Sequence, residues 1–213
     1  MKMAWTPAEQ PDSFEFDDIS EKEIAKILSK YPEERKASGT LPLLYIVQDQ
    51  LKRETGHAWI PLVAMDLIAA RLAVPSVRVY EVASFYTMFN TKPVGKYHLQ
   101  ICTTTSCWLR GSDDVVAACK KAAGVKEFGE TSEDGLFTLS HVECLGACAN
   151  APILQVNDDY YEDMNGPRTE AVIDALRAGE DPAPGPSTGR LSSAPEGGRK
   201  TLLEETSPRS SGE

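Results

Sequence analysis

Four cysteines in two close pairs, Cys102 with Cys107 and Cys144 with Cys148, constrain this 213-residue chain more than any other feature. Tyr97, Leu99 and Ile101 alternate with Lys96, His98 and Gln100 ahead of the first pair, a period of two that reads as a strand. A second strand over about Leu136 to Val142 leads into the other pair. Cys102 ends its strand, and Cys107 lies five residues on, before a helix expected over Ser112 to Ala123. The polar residues between them, Thr103 to Ser106, are able to turn amides and hydroxyls toward sulfur, and a thiolate near a helix N-terminus has a lowered pKa. Leu145-Gly146-Ala147 separates the second pair, small residues that leave room for a bulky inorganic centre against the backbone.

Two loops with two sulfurs each supply what a 2Fe-2S rhomb requires, one pair per iron. Structural zinc also takes four thiolates at overlapping spacings, so spacing alone leaves it open. Thiol-disulfide exchange ranks third, because it typically uses Cys-x-x-Cys, which this chain lacks. Cys119 falls on the apolar face of its helix with Val115, Val116 and Ala123 and reads as a small buried hydrophobe. His98 is expected to point outward from its strand, His57 lies in a loop and His141 precedes Cys144. None is assigned to metal, since four cysteines complete a site. Arg110 reads as a solvated surface residue.

The N-terminal half is helical by pattern. Residues 1–17, with Pro7 and Pro11, read as an extended arm. Ser20 to Glu23 fits a capping box that opens a helix carrying Ile24, Ile27, Leu28 and Tyr31. A second helix is expected from about Leu41 to Thr55, stopped by Gly56, and a third from near Pro61, interrupted by Pro75. In the fourth, Ser76 to Phe89, the stripe Val79, Val82, Ala83, Tyr86 and Phe89 is widened by Tyr80, Phe85 and Met88, which predicts burial on more than one side. Core packing of the bundle is the preferred reading of this stripe over an aromatic cofactor box, with contact to a partner left as the alternative for Phe85 or Met88.

Beyond residue 92 the order strand, helix, strand, hairpin around Asn157-Asp158-Asp159, helix over Thr169 to Arg177 fits helices packed on a mixed sheet. A thioredoxin-like layout matches it best. The fold class is therefore α+β: an extended arm over 1–17, a helical bundle over 18–92, a thioredoxin-like domain over 93–178, and a tail over 179–213. About half of that tail is Pro, Gly or Ser, the composition of a disordered segment. Arg190, Arg199, Lys200 and Arg209 give it an alternative use, docking on an acidic partner.

A net charge of −10 speaks against nucleic acid, which is bound through clustered Lys and Arg. No run approaches the roughly 20 apolar residues that span a bilayer, and the start resembles neither a signal peptide nor an Arg-rich transit peptide. A reducing compartment is the default. Five cysteines, an odd number, fit metal or redox use better than a disulfide framework.

Taken together, Val79 to Tyr86, the Cys102 to Gly111 stretch and Val142 to Pro152 resemble the thioredoxin-like 2Fe-2S (24-kilodalton) subunit family of NADH:quinone oxidoreductase, respiratory complex I. The resemblance covers about residues 18–178. It departs mildly at Ser84, where the family leads us to expect Thr, and it says nothing of the tail. It implies an electron-transfer subunit carrying one 2Fe-2S cluster on Cys102, Cys107, Cys144 and Cys148, with no catalytic residue and no activity of the isolated chain beyond electron transfer. The resemblance places FMN, NADH and a 4Fe-4S cluster in a partner subunit, with further complex I subunits nearby. No Gly-x-Gly-x-x-Gly or Walker-type stretch occurs here to cradle nucleotide phosphates. The implied location is peripheral, on the cytoplasmic side of the inner membrane, or on the matrix side for an organellar mature form. The same core serves in NAD-dependent formate dehydrogenases and NAD-reducing hydrogenases, and a structural zinc-binding interaction module is the alternative of a different class. Pro152, between the second motif and a strand, is expected to be cis.

Overall fold

The structure, a computed structural model, describes residues 10–195, 197–198 and 201. The chain divides into two compact units, the first running to Lys96 with Asp134–Phe137, the second Tyr97–Glu133 with the chain from Thr138 onward.

The first unit is a helical bundle. Helix α1 spans Asp18–Leu28, α2 Thr40–Thr55, α3 Leu62–Leu72 and α4 Ser76–Phe85, with a 3₁₀ segment at Glu33–Gly39. Helix α1 starts earlier than the capping box suggested. The Asp17 carboxylate accepts from the Ser20 amide at 2.7 Å and pairs with Arg53, so Ser20 lies inside the first turn and is buried. An acidic cap answers both the orphan amides and the helix dipole. Gly56 ends α2 in the left-handed conformation, φ 80°, as its position foretold. The core gathers Ile24, Leu43, Leu44, Val47, Ile60, Met65, Ile68 and Val79, all essentially inaccessible. Phe14 and Phe16 of the segment preceding α1 pack against it, so the described part of the arm lies along the bundle.

Helix α4 departs from expectation. It stops at Phe85, and although Val79, Ala83 and Phe89 are buried, Phe85 is 77% exposed, with Tyr86 and Met88 also exposed. Among the described residues the wide stripe is covered on one side, where α2 and α3 pack on α4.

The second unit is built on a sheet of order β2-β1-β3-β4-β5, in which β1 is Tyr97–Cys102, β2 Phe137–Val142, β3 Leu154–Val156, β4 Asp159–Glu162 and β5 Gly185–Pro186. Strand β3 runs antiparallel to β1 with Leu99 opposite Val156, and β4 returns antiparallel after the Asn157-Asp158 turn, where Asn157 has φ 55°. Strand β5 adds parallel to β4, so the sheet is mixed. Helices α5 (Thr105–Leu109), α6 (Ser112–Ala123) and α7 (Gly166–Arg177) complete the unit, α6 packing on both α7 and β1. Asn165 caps α7 by accepting from the Arg168 amide, and the Ala151–Pro152 bond is cis, as expected.

Two expectations change here. The first part of the tail is held against the domain: residues 181–195 contribute β5 and bury Arg190 against Asp163, leaving that side chain 10% exposed. Composition conceals this, because main-chain pairing and one ion pair need no apolar residues. Arg199, Lys200 and Arg209 lie outside the described residues. His98, expected to face outward, is half-buried with Nε2 2.7 Å from the Ser140 hydroxyl, and burial lowers its pKa to about 4. Alternation along a strand gives the face of a side chain; what covers that face is set elsewhere.

Candidate functional site

The site forms where β1 and β2 end. Cys102 is the last residue of β1, and Cys107 lies within α5, a short helix in the stretch expected as a loop. Both are buried. Cys144 and Cys148 follow β2, the latter opening a 3₁₀ turn over Cys148–Asn150, and both are exposed. The thiols of Cys144 and Cys148 stand 3.5 Å apart, and those of Cys102 and Cys107 are hydrogen-bonded to each other. The four thus stand as two pairs, one buried and one open. Among the described residues no three His, Cys, Asp or Glu side chains converge as ligands of a single ion would.

Backbone amides converge on the sulfurs. Cys102 receives the amides of Thr104 and Leu145 and shares a 3.2 Å hydrogen bond with the Thr104 hydroxyl. Cys107 receives the Ile153 amide, and the Gly146 amide donates to Cys144 at 3.4 Å. The Leu145 amide joins the two loops: it belongs to the second cysteine loop and donates to the first pair. Its carbonyl accepts from the Tyr160 hydroxyl at 3.0 Å, and Leu145, Ala147 and Tyr160 pack around Cys102, Cys107, Ala151 and Ile153. Across the loops, Thr103 Oγ1 and His141 Nε2 share a hydrogen bond of 2.6 Å.

These surroundings treat the thiols differently. Burial pushes Cys102 up, yet the Thr104 hydroxyl and amide, Cys107 and the Leu145 amide hold it below the ordinary thiol value. Cys107 is pushed up to about 12 by burial first, then by its hydrogen bond with Cys102 and the negative charge of that neighbour, with Cys148 adding to the effect and the Ile153 amide opposing it. The second ionisation of such a pair is costly without a cation. Cys119, buried in α6 away from these loops, is raised to about 12 by burial alone, as an inert apolar cysteine should be.

The inward-turning polar loop was legible in Thr103 to Ser106, and Thr104 carries it out. The Leu145, Gly146 and Ile153 amides were not, since a backbone donor leaves no mark in residue type. Tyr160 and the Thr103–His141 bond were also missed; their only signal was proximity to a strand end. Arg110 is exposed, as expected.

A family model described as thioredoxin-like [2Fe-2S] ferredoxin matches residues 24–177. The E subunit of NADH-quinone oxidoreductase from Rickettsia conorii is 52% identical over 165 residues, 78% of this chain and 95% of that protein. The protein of the same name from Rickettsia bellii is 51% identical over the same shares. Among solved structures, an NAD+-reducing [NiFe]-hydrogenase in the air-oxidized state superposes with TM-score 0.55 at 18% identity, over 66% of this chain and 23% of that one, a likeness of fold. No helix among the described residues is long and apolar enough to cross a membrane. The chain belongs to the thioredoxin-like [2Fe-2S] ferredoxin family and, within it, to the family of NADH-quinone oxidoreductase E subunits.

Proposed function

We propose that Cys102, Cys107, Cys144 and Cys148 hold one 2Fe-2S cluster, and that this chain exchanges electrons with the flavin of a partner subunit in an NADH-oxidising module. The observation that carries the reading is the grouping of the thiols into two pairs, Cys144 with Cys148 at 3.5 Å and Cys102 with Cys107 in mutual hydrogen bonding, with four backbone amides aimed at sulfur. Thiolate pairs suit two irons, and N–H···S bonds are the protein's means of stabilising the negative charge of reduction.

When bound, such a cluster accepts and returns one electron at a time. The chain's own residues do the rest. Cys102 and Cys107 anchor the buried side, where Ile153, Ala151 and Tyr160 exclude water. The amides of Thr104, Leu145, Gly146 and Ile153 place positive partial charge on the sulfurs. Cys144 and Cys148 form the open side, the approach for a redox partner. No acid, base or nucleophile is required of this chain.

The relatives are named as subunits of NADH-quinone oxidoreductase, which supports a partner that supplies flavin and nicotinamide binding. Co-purification from the native host tests it. The tagged chain should bring down a flavin-containing subunit, and NADH should then bleach the visible absorption of the assembly while leaving the isolated chain unchanged. A chain that purifies alone and reduces disulfides, with that activity lost in Cys102→Ser, would overturn the reading.

A further inference from the structure

The family model matches residues 24–177, and residues 181–195 lie beyond the matched stretch. We infer that residues 181–195 are a strap that fixes the loop carrying Cys148, with Arg190 as its positioning residue; the inference rests on Cys148 being a cluster ligand. Strand β5 places Gly185 beside Tyr161 and Pro186 beside Glu162, the Tyr161 hydroxyl donates to the Pro182 carbonyl at 2.8 Å, and the Ser187 hydroxyl donates to the Glu162 carbonyl at 2.8 Å. These contacts seat the strap along β4.

Arg190 then joins three parts of the domain. Its Nε donates to Asp163 Oδ2 at 2.8 Å, Nη2 pairs with Asp163 Oδ1, Nη1 donates to the Ala194 carbonyl at 3.2 Å, and Nη2 also reaches the Ala149 carbonyl at 3.3 Å. The Thr188 hydroxyl completes the Asp163 carboxylate at 3.0 Å. Ala149 is the residue after Cys148. The next one, Asn150, is 3% exposed, and its Nδ2 donates to the Ser192 carbonyl at 3.0 Å and to the Glu162 carboxylate. The strap therefore holds both residues that follow Cys148.

A buried ion pair adds little net stability, since desolvation offsets its attraction, yet losing one partner strands the other charge. Such a pair serves to fix register. Only the arginine fork reaches Asp163, Ala149 and Ala194 together; a lysine ammonium is a single point charge. Linkage then makes strap docking and cluster retention reciprocal: whatever steadies the Cys148 turn favours both.

The test uses the full-length holoprotein, its Arg190→Ala and Arg190→Lys variants, and a chain ending at Gly179. Loss of visible absorption under a chelator, well below the melting temperature, should run about tenfold faster in Arg190→Ala and in the shortened chain, within the range usual for coupled sites. Arg190→Lys should fall close to Arg190→Ala, where a purely electrostatic role would restore the wild-type rate. Amide hydrogen exchange at Asn150 and Ala151 should accelerate in the same variants, with β1 amides unchanged, whether or not the cluster is loaded. Wild-type rates of cluster loss and exchange in Arg190→Ala would overturn the strap. If the wild-type protein held no iron and sulfide while the exchange effect persisted, the cluster reading would fail and the strap would stand.

Discussion

At the scale of single residues, the four loop cysteines and Cys119 differ by what their sulfurs meet. Cys102, Cys107 and Cys144 receive backbone amides, whereas burial alone governs Cys119. Cys119→Ala should retain full iron and sulfide and cost little stability, while Cys102→Ser or Cys148→Ser should lose most of the cluster; metal and sulfide analysis of the purified variants checks both. Thr104→Val removes the hydroxyl that meets Cys102 but keeps the amide, and should lower the reduction potential by weakening a bond that favours the more negative state. His98 gives a stability test with a definite sign. Its folded pKa of about 4 lies below the ordinary 6.5, so the unfolded chain takes up a proton first and stability falls as pH drops from about 6.5 toward 4. His98→Gln should remove that slope from denaturant melts of the apoprotein at pH 7 and pH 5, and an unchanged slope would count against its burial.

At the scale of elements, the helix ends carry much of the order in the bundle. Asp17 holds its carboxyl at about 2, first through the Ser20 amide and then through the Ser20 and Arg53 side chains, so its contribution is complete above about pH 4 and disappears as pH falls through about 2. Asp17→Ala should cost about 1 kcal/mol, measured at neutral pH, and Leu44→Ala in the inaccessible core about 2–5 kcal/mol. These elements also mark what can be read from residues alone. Periodicity located α2, α3, α6 and β1 nearly to the residue, because Gly56 and Gly124 adopt the left-handed conformation that a helix stop demands. The start of α1 went to Ser20 because serine and aspartate are equally good caps, and only Arg53 and Gln50, more than thirty positions away, favour Asp17. The pairing of cysteine loops was legible for the same reason as the helices: both are local patterns. The strap was not, since β5 and the Arg190–Asp163 pair are made across distance by residues common in disordered segments.

At the scale of the whole molecule, a chain with one open thiol pair and no nucleotide-cradling motif fits a component of a larger assembly. Phe85 at 77% exposure is the clearest apolar residue left uncovered in the bundle. Phe85→Ser should shift stability by no more than about 0.5 kcal/mol, yet weaken co-purification of the proposed flavin-bearing partner; unchanged recovery would rule out a docking role for Phe85. Everything else depends on what the four loop cysteines hold. The most direct measurement is low-temperature electron paramagnetic resonance of the dithionite-reduced protein, together with metal and acid-labile sulfide content. The expected result is a coloured protein that bleaches on reduction and shows the spin signal of one reduced 2Fe-2S centre per chain. A colourless, spin-silent protein with one zinc and no sulfide would contradict it.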